Sequence, residues 1–251
     1  MKRDYKIIIL VTLLVGAIIV SSSFIALANS DDGLTDYQRG LRHFRAGEYE
    51  EAIPELIKAI SDSSGQMYPH YILGLSYRYT GQLEAAKTQL KAAHKANPSH
   101  YRVMVNLGRV YLDLRENDEA IEILEKSIEA NDSFADAYNV LGRAYMNKGN
   151  YERAIDNYIE ASELNPKNYY VLNNLGFAYI STGRYADAIP VLERATALNQ
   201  QLPYIYNNLG ISYENEGDLV GAKQAYQKAL EIDPNYSRAE VNLNRVERML
   251  N

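Results

Sequence analysis

Four asparagines, Asn106, Asn174, Asn208 and Asn242, stand at one position of a 34-residue spacing, each immediately before a leucine. A side-chain amide carries both a donor and an acceptor, so a column of amides matches the peptide units of an extended segment without reading its side chains. Asn139, Asn173 and Asn207 add further amides, and Val140 interrupts the column. Arg102, Arg109 and Arg143 offer guanidinium forks that suit a carboxylate or a phosphate. Each of these residues also has a plainer reading, as a solvated polar group on a helix surface. Groups for bond-making chemistry are not assembled. His43, His70, His94 and His100 lack metal-ligand spacing, and no H-E-x-x-H, G-x-S-x-G, P-loop or dinucleotide fingerprint occurs. Glu50-Glu51 and Asp31-Asp32 read as solvated or capping charges. With no cysteine there is no thiol nucleophile, disulfide, Cys-based zinc site or lipid-modified cysteine. The chemistry on offer is recognition, and no enzyme activity, metal or cofactor is expected.

The elements that must position these residues are helices of a strict repeat. A glycine recurs at Gly40, Gly74, Gly108, Gly142, Gly176 and Gly210, in steps of 34 residues without insertion. A second small position reads Ala52, Ala86, Ala120, Ala154, Ala188 and Ala222, and a third reads Ala59, Ala93, Ser127, Ala161, Ala195 and Ala229. Glycine inside a helix costs about 0.5–1 kcal/mol relative to alanine, so its recurrence implies close approach of a second helix. Large residues fill the space around those approaches: Tyr77, Tyr111, Tyr145, Tyr179 and Tyr213 in first helices, and Leu56, Leu90, Leu124, Tyr158, Leu192 and Tyr226 in second helices. Gly47, Gly81, Gly149, Gly183 and Gly217 suit helix ends that need positive φ. Arg115 replaces this glycine in the third copy, where the softest turn is expected.

Over residues 135–168, the set Leu141-Gly142, Tyr145, Gly149, Ala154, Tyr158, Ala161 and Pro166, with Tyr138 in the tryptophan position, resembles the tetratricopeptide repeat (TPR) pattern. The resemblance implies an all-α, right-handed α-solenoid. Six helix pairs are expected at 33–66, 67–100, 101–134, 135–168, 169–202 and 203–236, then a capping helix at 237–251. It also implies that first helices line a concave binding face. On that face repeats one and two offer Tyr37, Phe44, Tyr68, Tyr71, Ile72, Leu75 and Tyr79, which read either as a partner surface or as packing against a neighbouring repeat or the N-terminal segment. The asparagine column is similar to the asparagine ladder of the O-GlcNAc transferase superhelix, where amides grip a peptide backbone. The carboxylate clamp of chaperone-binding members needs lysine and asparagine where Tyr37 and Leu41 stand, so that ligand is excluded.

At the N-terminus, Lys2, Arg3 and Lys6 precede an apolar run from Ile7 to Val20 and an A-x-A-like site at Ala28. Residues 1–28 are read either as a cleaved signal peptide or, with 7–28 as one span, as a membrane anchor, followed by a junction at 29–32. Both readings place the repeats on the non-cytoplasmic side. The formal charge of −6, from 26 basic and 32 acidic residues, argues against a nucleic-acid partner. The expected function is a non-enzymatic scaffold that binds a peptide segment or partner helix and helps assemble an envelope complex. The alternative is self-association, or docking to a membrane complex, through the aromatic N-terminal repeats. A pilus-assembly factor is a third reading, opposed by the missing lipidated cysteine.

Overall fold

The computed structural model describes residues 33–62 and 65–251. The leader and junction expected at 1–28 and 29–32 lie outside the described residues. Within them the chain forms thirteen α-helices and no strand. No described helix is long and apolar enough to cross a membrane. Two compact units divide between Ser64 and Gly65.

Unit one is a single helix pair, α1 (Asp36–Ala46) and α2 (Tyr49–Asp62). Thr35 opens α1 with a capping box: its hydroxyl accepts from the Gln38 N–H, and its own N–H donates to the Gln38 side chain at 2.8 Å. Gly47, at φ 82°, ends the helix. Gly40 meets Leu56 of α2 so closely that a Cβ there would lie 2.6 Å from Leu56 Cγ. Arg39 stands where later repeats have leucine. It donates to Glu55 at 2.8 Å and to the Leu34 carbonyl at 2.6 Å, and it also pairs with Asp36. Hydrogen bonds from Lys58 and Arg39 hold the Glu55 carboxyl below its ordinary pKa.

Unit two is a helical solenoid of five pairs and a last helix. The first helices are α3 (Met67–Tyr79), α5 (Tyr101–Asp113), α7 (Ala135–Asn147), α9 (Tyr169–Ser181) and α11 (Pro203–Asn215). The second helices are α4 (Leu83–Ala96), α6 (Asn117–Ala130), α8 (Tyr151–Leu164), α10 (Tyr185–Leu198) and α12 (Leu219–Ile232), and α13 (Ser237–Leu250) closes the array. Within every pair the first-helix glycine receives a large side chain sixteen residues on: Leu90, Leu124, Tyr158, Leu192 or Tyr226. The alanines at the small positions of these second helices are fully buried. Ser127, the one exception in its column, satisfies its buried hydroxyl by donating to the Tyr101 carbonyl at 3.0 Å. Each helix also packs on the next pair, and a continuous core runs from Ala86 to Ala225. Ala222, Tyr226 and Ala229 then form a smaller core with Ala239 and Val246 of α13.

The turns inside pairs share one geometry. The N–H of the residue after the turn glycine donates to a first-helix tyrosine carbonyl: Gln82 to Tyr77, Asn150 to Tyr145, Arg184 to Tyr179 and Asp218 to Tyr213, all at 2.8–2.9 Å. Arg115 keeps this geometry without glycine. Glu116 N–H still reaches the Tyr111 carbonyl at 2.8 Å, and Arg115 takes φ 64°. A side chain in the left-handed region costs roughly 1–2 kcal/mol, of which glycine's larger chain entropy returns a part. Arg115→Gly is therefore expected to stabilise the protein by about 0.5–1 kcal/mol. A thermal melt checks this, and a midpoint that fails to rise would show that the side chain earns its strain elsewhere.

Candidate functional site

Each first helix of unit two, and α13, presents three residues spaced i, i+4 and i+7, which helical geometry places on one face. They are Tyr68, Ile72 and Leu75 on α3; Arg102, Asn106 and Arg109 on α5; and Asp136, Val140 and Arg143 on α7. Tyr170, Asn174 and Phe177 follow on α9, Tyr204, Asn208 and Ile211 on α11, and Arg238, Asn242 and Arg245 on α13.

The middle column carries the asparagines, and the structure ties them together across repeats. Asn174 Nδ2 donates to Asn139 Oδ1 at 3.1 Å, Asn208 to Asn173 at 3.0 Å, and Asn242 to Asn207 at 3.0 Å. Asn106 makes the equivalent bond to the Tyr71 hydroxyl at 2.9 Å. The accepting asparagines are buried, at 8 % exposure for Asn139 and Asn173 and 4 % for Asn207, while the donors are half-buried. Val140 interrupts the donor column, and the acceptor position before it is Val105; both are 1 % exposed. Donor and acceptor are thus missing together. An unpaired buried amide costs about 1–3 kcal/mol, whereas two apolar groups at the same places cost little.

After this pairing, the Oδ1 atoms of Asn174, Asn208 and Asn242 accept no hydrogen bond among the described residues. Asn106 differs: it also donates to the Arg102 carbonyl at 2.8 Å and accepts from Arg109 at 3.3 Å. The open amide acceptors therefore lie on α9, α11 and α13.

The arginines separate in the same way. Arg109 Nη2 donates to both carboxylate oxygens of Asp136, at 2.5 and 2.6 Å. The guanidinium of Arg102 lies 5.7 Å from the ring centroids of Tyr101 and Phe134, a cation–π contact. Arg245 donates to Glu214 through two nitrogens at 2.6 and 2.7 Å, and the Tyr226 hydroxyl reaches the same carboxylate at 2.8 Å. Those bonds, Arg245 first, hold the Glu214 carboxyl below its ordinary pKa and fasten α13 to α11. Arg143, half-buried, and Arg238, exposed, make no ion pair among the described residues.

The aromatic set expected on repeats one and two is dispersed. Tyr37 is half-buried on α1, and Phe44 sits 5.4 Å from the Tyr49 ring, both in unit one. In unit two Tyr68 and Tyr79 are exposed, and Tyr71 is half-buried beside His100, its phenol pKa pushed up by burial. Of the two readings open for Ile72 and Leu75, burial is the one found. Both are withdrawn from water as their hydrocarbon side chains favour. Besides Tyr68 and Tyr79, open apolar side chains lie further along, at Tyr170, Phe177 and Val241, with Tyr204 and Ile211 half-buried beside them. Here a cavity of about 410 Å³ has Phe177, Ile211 and Val241 as its apolar wall, with the amides of Asn207, Asn208 and Asn242 and the Arg238 side chain. Sequence reasoning missed Tyr170, Phe177, Tyr204, Ile211, Arg238 and Val241. The signal was their membership of the same columns as Arg102, Arg109 and Asn139. No cluster of His or acidic side chains able to hold a metal occurs among the described residues.

Paired helices at a 34-residue period, with a glycine–knob contact in each pair, find direct counterparts. The family model described as the Tetratricopeptide repeat protein 21 C-terminal ARM domain matches residues 36–205, and the tetratricopeptide repeat model matches 203–236. The chain belongs to the tetratricopeptide repeat family. No curated protein sequence matches this TPR chain significantly. Among solved structures it is similar to MamA, at 27 % identity and TM-score 0.60 over 68 % of this chain and 94 % of that one. Pseudomonas aeruginosa pilF aligns at 25 % identity and TM-score 0.66, over 73 % of this chain and 84 % of pilF. YrrB, a TPR protein with an unusual peptide-binding site, shares the fold at 21 % identity and TM-score 0.61, over 73 % and 95 % of the two chains. TPR proteins are typically non-enzymatic scaffolds that bind peptide or protein partners, and this chain has the TPR-type architecture of a protein-interaction scaffold.

Proposed function

We propose that this TPR protein docks an extended peptide segment of a partner across α9, α11 and α13. We further propose that it does so on the non-cytoplasmic side of a membrane, in the assembly of an envelope complex. One observation carries the peptide reading. The spare Oδ1 acceptors of Asn174, Asn208 and Asn242 stand in register beside a cavity of about 410 Å³ with an apolar wall. Peptide N–H groups need acceptors, and peptide side chains need a pocket, so the two features together suit an extended chain. The location rests on the positive residues ahead of the apolar run at Ile7–Val20. A displayed library of extended peptides, selected on the purified protein, tests the reading. Selected peptides are expected to lose at least about tenfold in affinity on Phe177→Ala, and to bind Tyr68→Ala unchanged. The reverse pattern would move the site to the N-terminal repeats.

A further inference from the structure

The open face of unit two differs in charge from the rest of the chain. The protein carries a formal charge of −6, and acids such as Glu119, Glu129, Glu160 and Glu163 are exposed on second helices. The three open columns from α5 to α13 hold Arg102, Arg109, Arg143, Arg238 and Arg245 against Asp136 alone. Asp136 neutralises Arg109, Glu214 neutralises Arg245, and Arg102 rests on two rings. Arg143 and Arg238 are left without a counter-charge on the two sides of α9 and α11, whose own columns are uncharged. Arg238 also lines the cavity walled by Phe177, Ile211 and Val241.

Resting on the peptide-docking reading, we infer that the segment is acidic at two places, with Asp or Glu side chains meeting Arg143 and Arg238 and an apolar side chain seated in the cavity beside Arg238. The guanidinium fork matches a carboxylate with two parallel hydrogen bonds, and such a pair gains most where the cation has no other partner. A nucleic acid fits poorly, because its evenly spaced phosphates need a continuous row of cations, and this face interrupts the row with two uncharged helices. A single C-terminal carboxylate also fits poorly. From α7 to α13 there are three helix-to-helix steps, each roughly 8–10 Å, so one carboxylate cannot reach both arginines. Arg143 also stands seven residues further along its helix than Arg238 does on α13, an axial offset of about 10 Å. An extended chain advancing about 3.3 Å per residue then covers the span in roughly eight to ten residues. The segment therefore has acidic residues about eight to ten apart, with apolar and small polar residues between.

The test uses the full chain and synthetic peptides with two glutamates about eight to ten residues apart and an apolar residue beside one of them, compared with the same peptides carrying glutamine. At low salt the glutamate peptides are expected to bind at least about tenfold tighter. Arg143→Gln and Arg238→Gln should each weaken the glutamate peptides several-fold, and the glutamate peptides should lose more than the glutamine peptides do. Arg238 is exposed and unpaired, so its removal leaves the fold intact. Equal binding of both peptide sets, still abolished by Phe177→Ala, would overturn the acidic preference while the groove stands. Loss of binding on C-terminal amidation would overturn it in favour of a terminal carboxylate. If Phe177→Ala changes nothing for either set, the groove reading fails first, and this inference with it.

Discussion

Replacing Gly210 by alanine is expected to destabilise unit two by about 1–2 kcal/mol, although alanine is the better helix former by about 0.5–1 kcal/mol. A Cβ at Gly210 would lie 2.5 Å from Tyr226 Cε1 and 2.7 Å from Cδ1, far inside contact distance. The ring has nowhere to go. Tyr226 is fully buried, packs with Ala222, Ala229 and Val246, and is tied at its hydroxyl to Glu214. Relief requires α11 and α12 to move apart, which loosens the core below the last helix. Gly108→Ala should cost less, because its nearest atoms belong to Leu124, whose Cγ lies 2.8 Å from the added carbon and whose branched end can rotate. Urea unfolding followed by circular dichroism would rank the two variants against the parent. A midpoint that rises for Gly210→Ala would show that helix propensity, and not close approach, governs this position.

The parts of this molecule that were legible in its sequence are those a single repeat dictates to itself. Gly142 and Tyr158 lie in one helix pair, so a glycine sixteen residues before a large side chain announces the contact. Pairings between repeats were harder to read. Asn174 could be picked out as one of a column, but its partner Asn139 lies 35 residues back in another helix pair, and nothing local marks Asn139 as an acceptor. The same holds for Arg109. Its residue type suits an external carboxylate, but Asp136 of the next repeat already supplies one. Burial could not be decided from sequence for a related reason. Leu75, Phe177 and Ile211 share one column, yet Leu75 is buried and Phe177 is half exposed, because exposure depends on what stands opposite and not on position in the repeat. Exposed aromatic side chains accordingly stand both at Tyr68 and Tyr79, where the sequence placed them, and at Tyr170 and Phe177 of α9, which it did not single out.

The asparagine pairs offer a way to separate holding the solenoid together from holding a ligand. Asn208→Val is expected to destabilise the protein by about 1–3 kcal/mol, because Asn173 Oδ1 loses its donor at a site only 8 % exposed. Asn173→Val should cost less, since the half-buried Asn208 amide can turn to water. The double variant should regain most of the loss, because Val105 and Val140 already occupy the equivalent positions as a buried apolar pair. A double-mutant cycle read by urea unfolding would then give a coupling of about 1–2 kcal/mol between the sites. Strictly additive losses would mean that the 3.0 Å bond contributes nothing to holding the repeats in register. The double variant has a second use. It keeps the repeats joined but removes the Oδ1 of Asn208 from the proposed peptide track, so a docked segment loses one backbone acceptor in a protein of nearly parental stability. Affinity that falls while the unfolding midpoint holds would assign the amides both roles. Unchanged affinity would leave them as ties between repeats, with the cavity walled by Phe177 and Ile211 carrying recognition by itself.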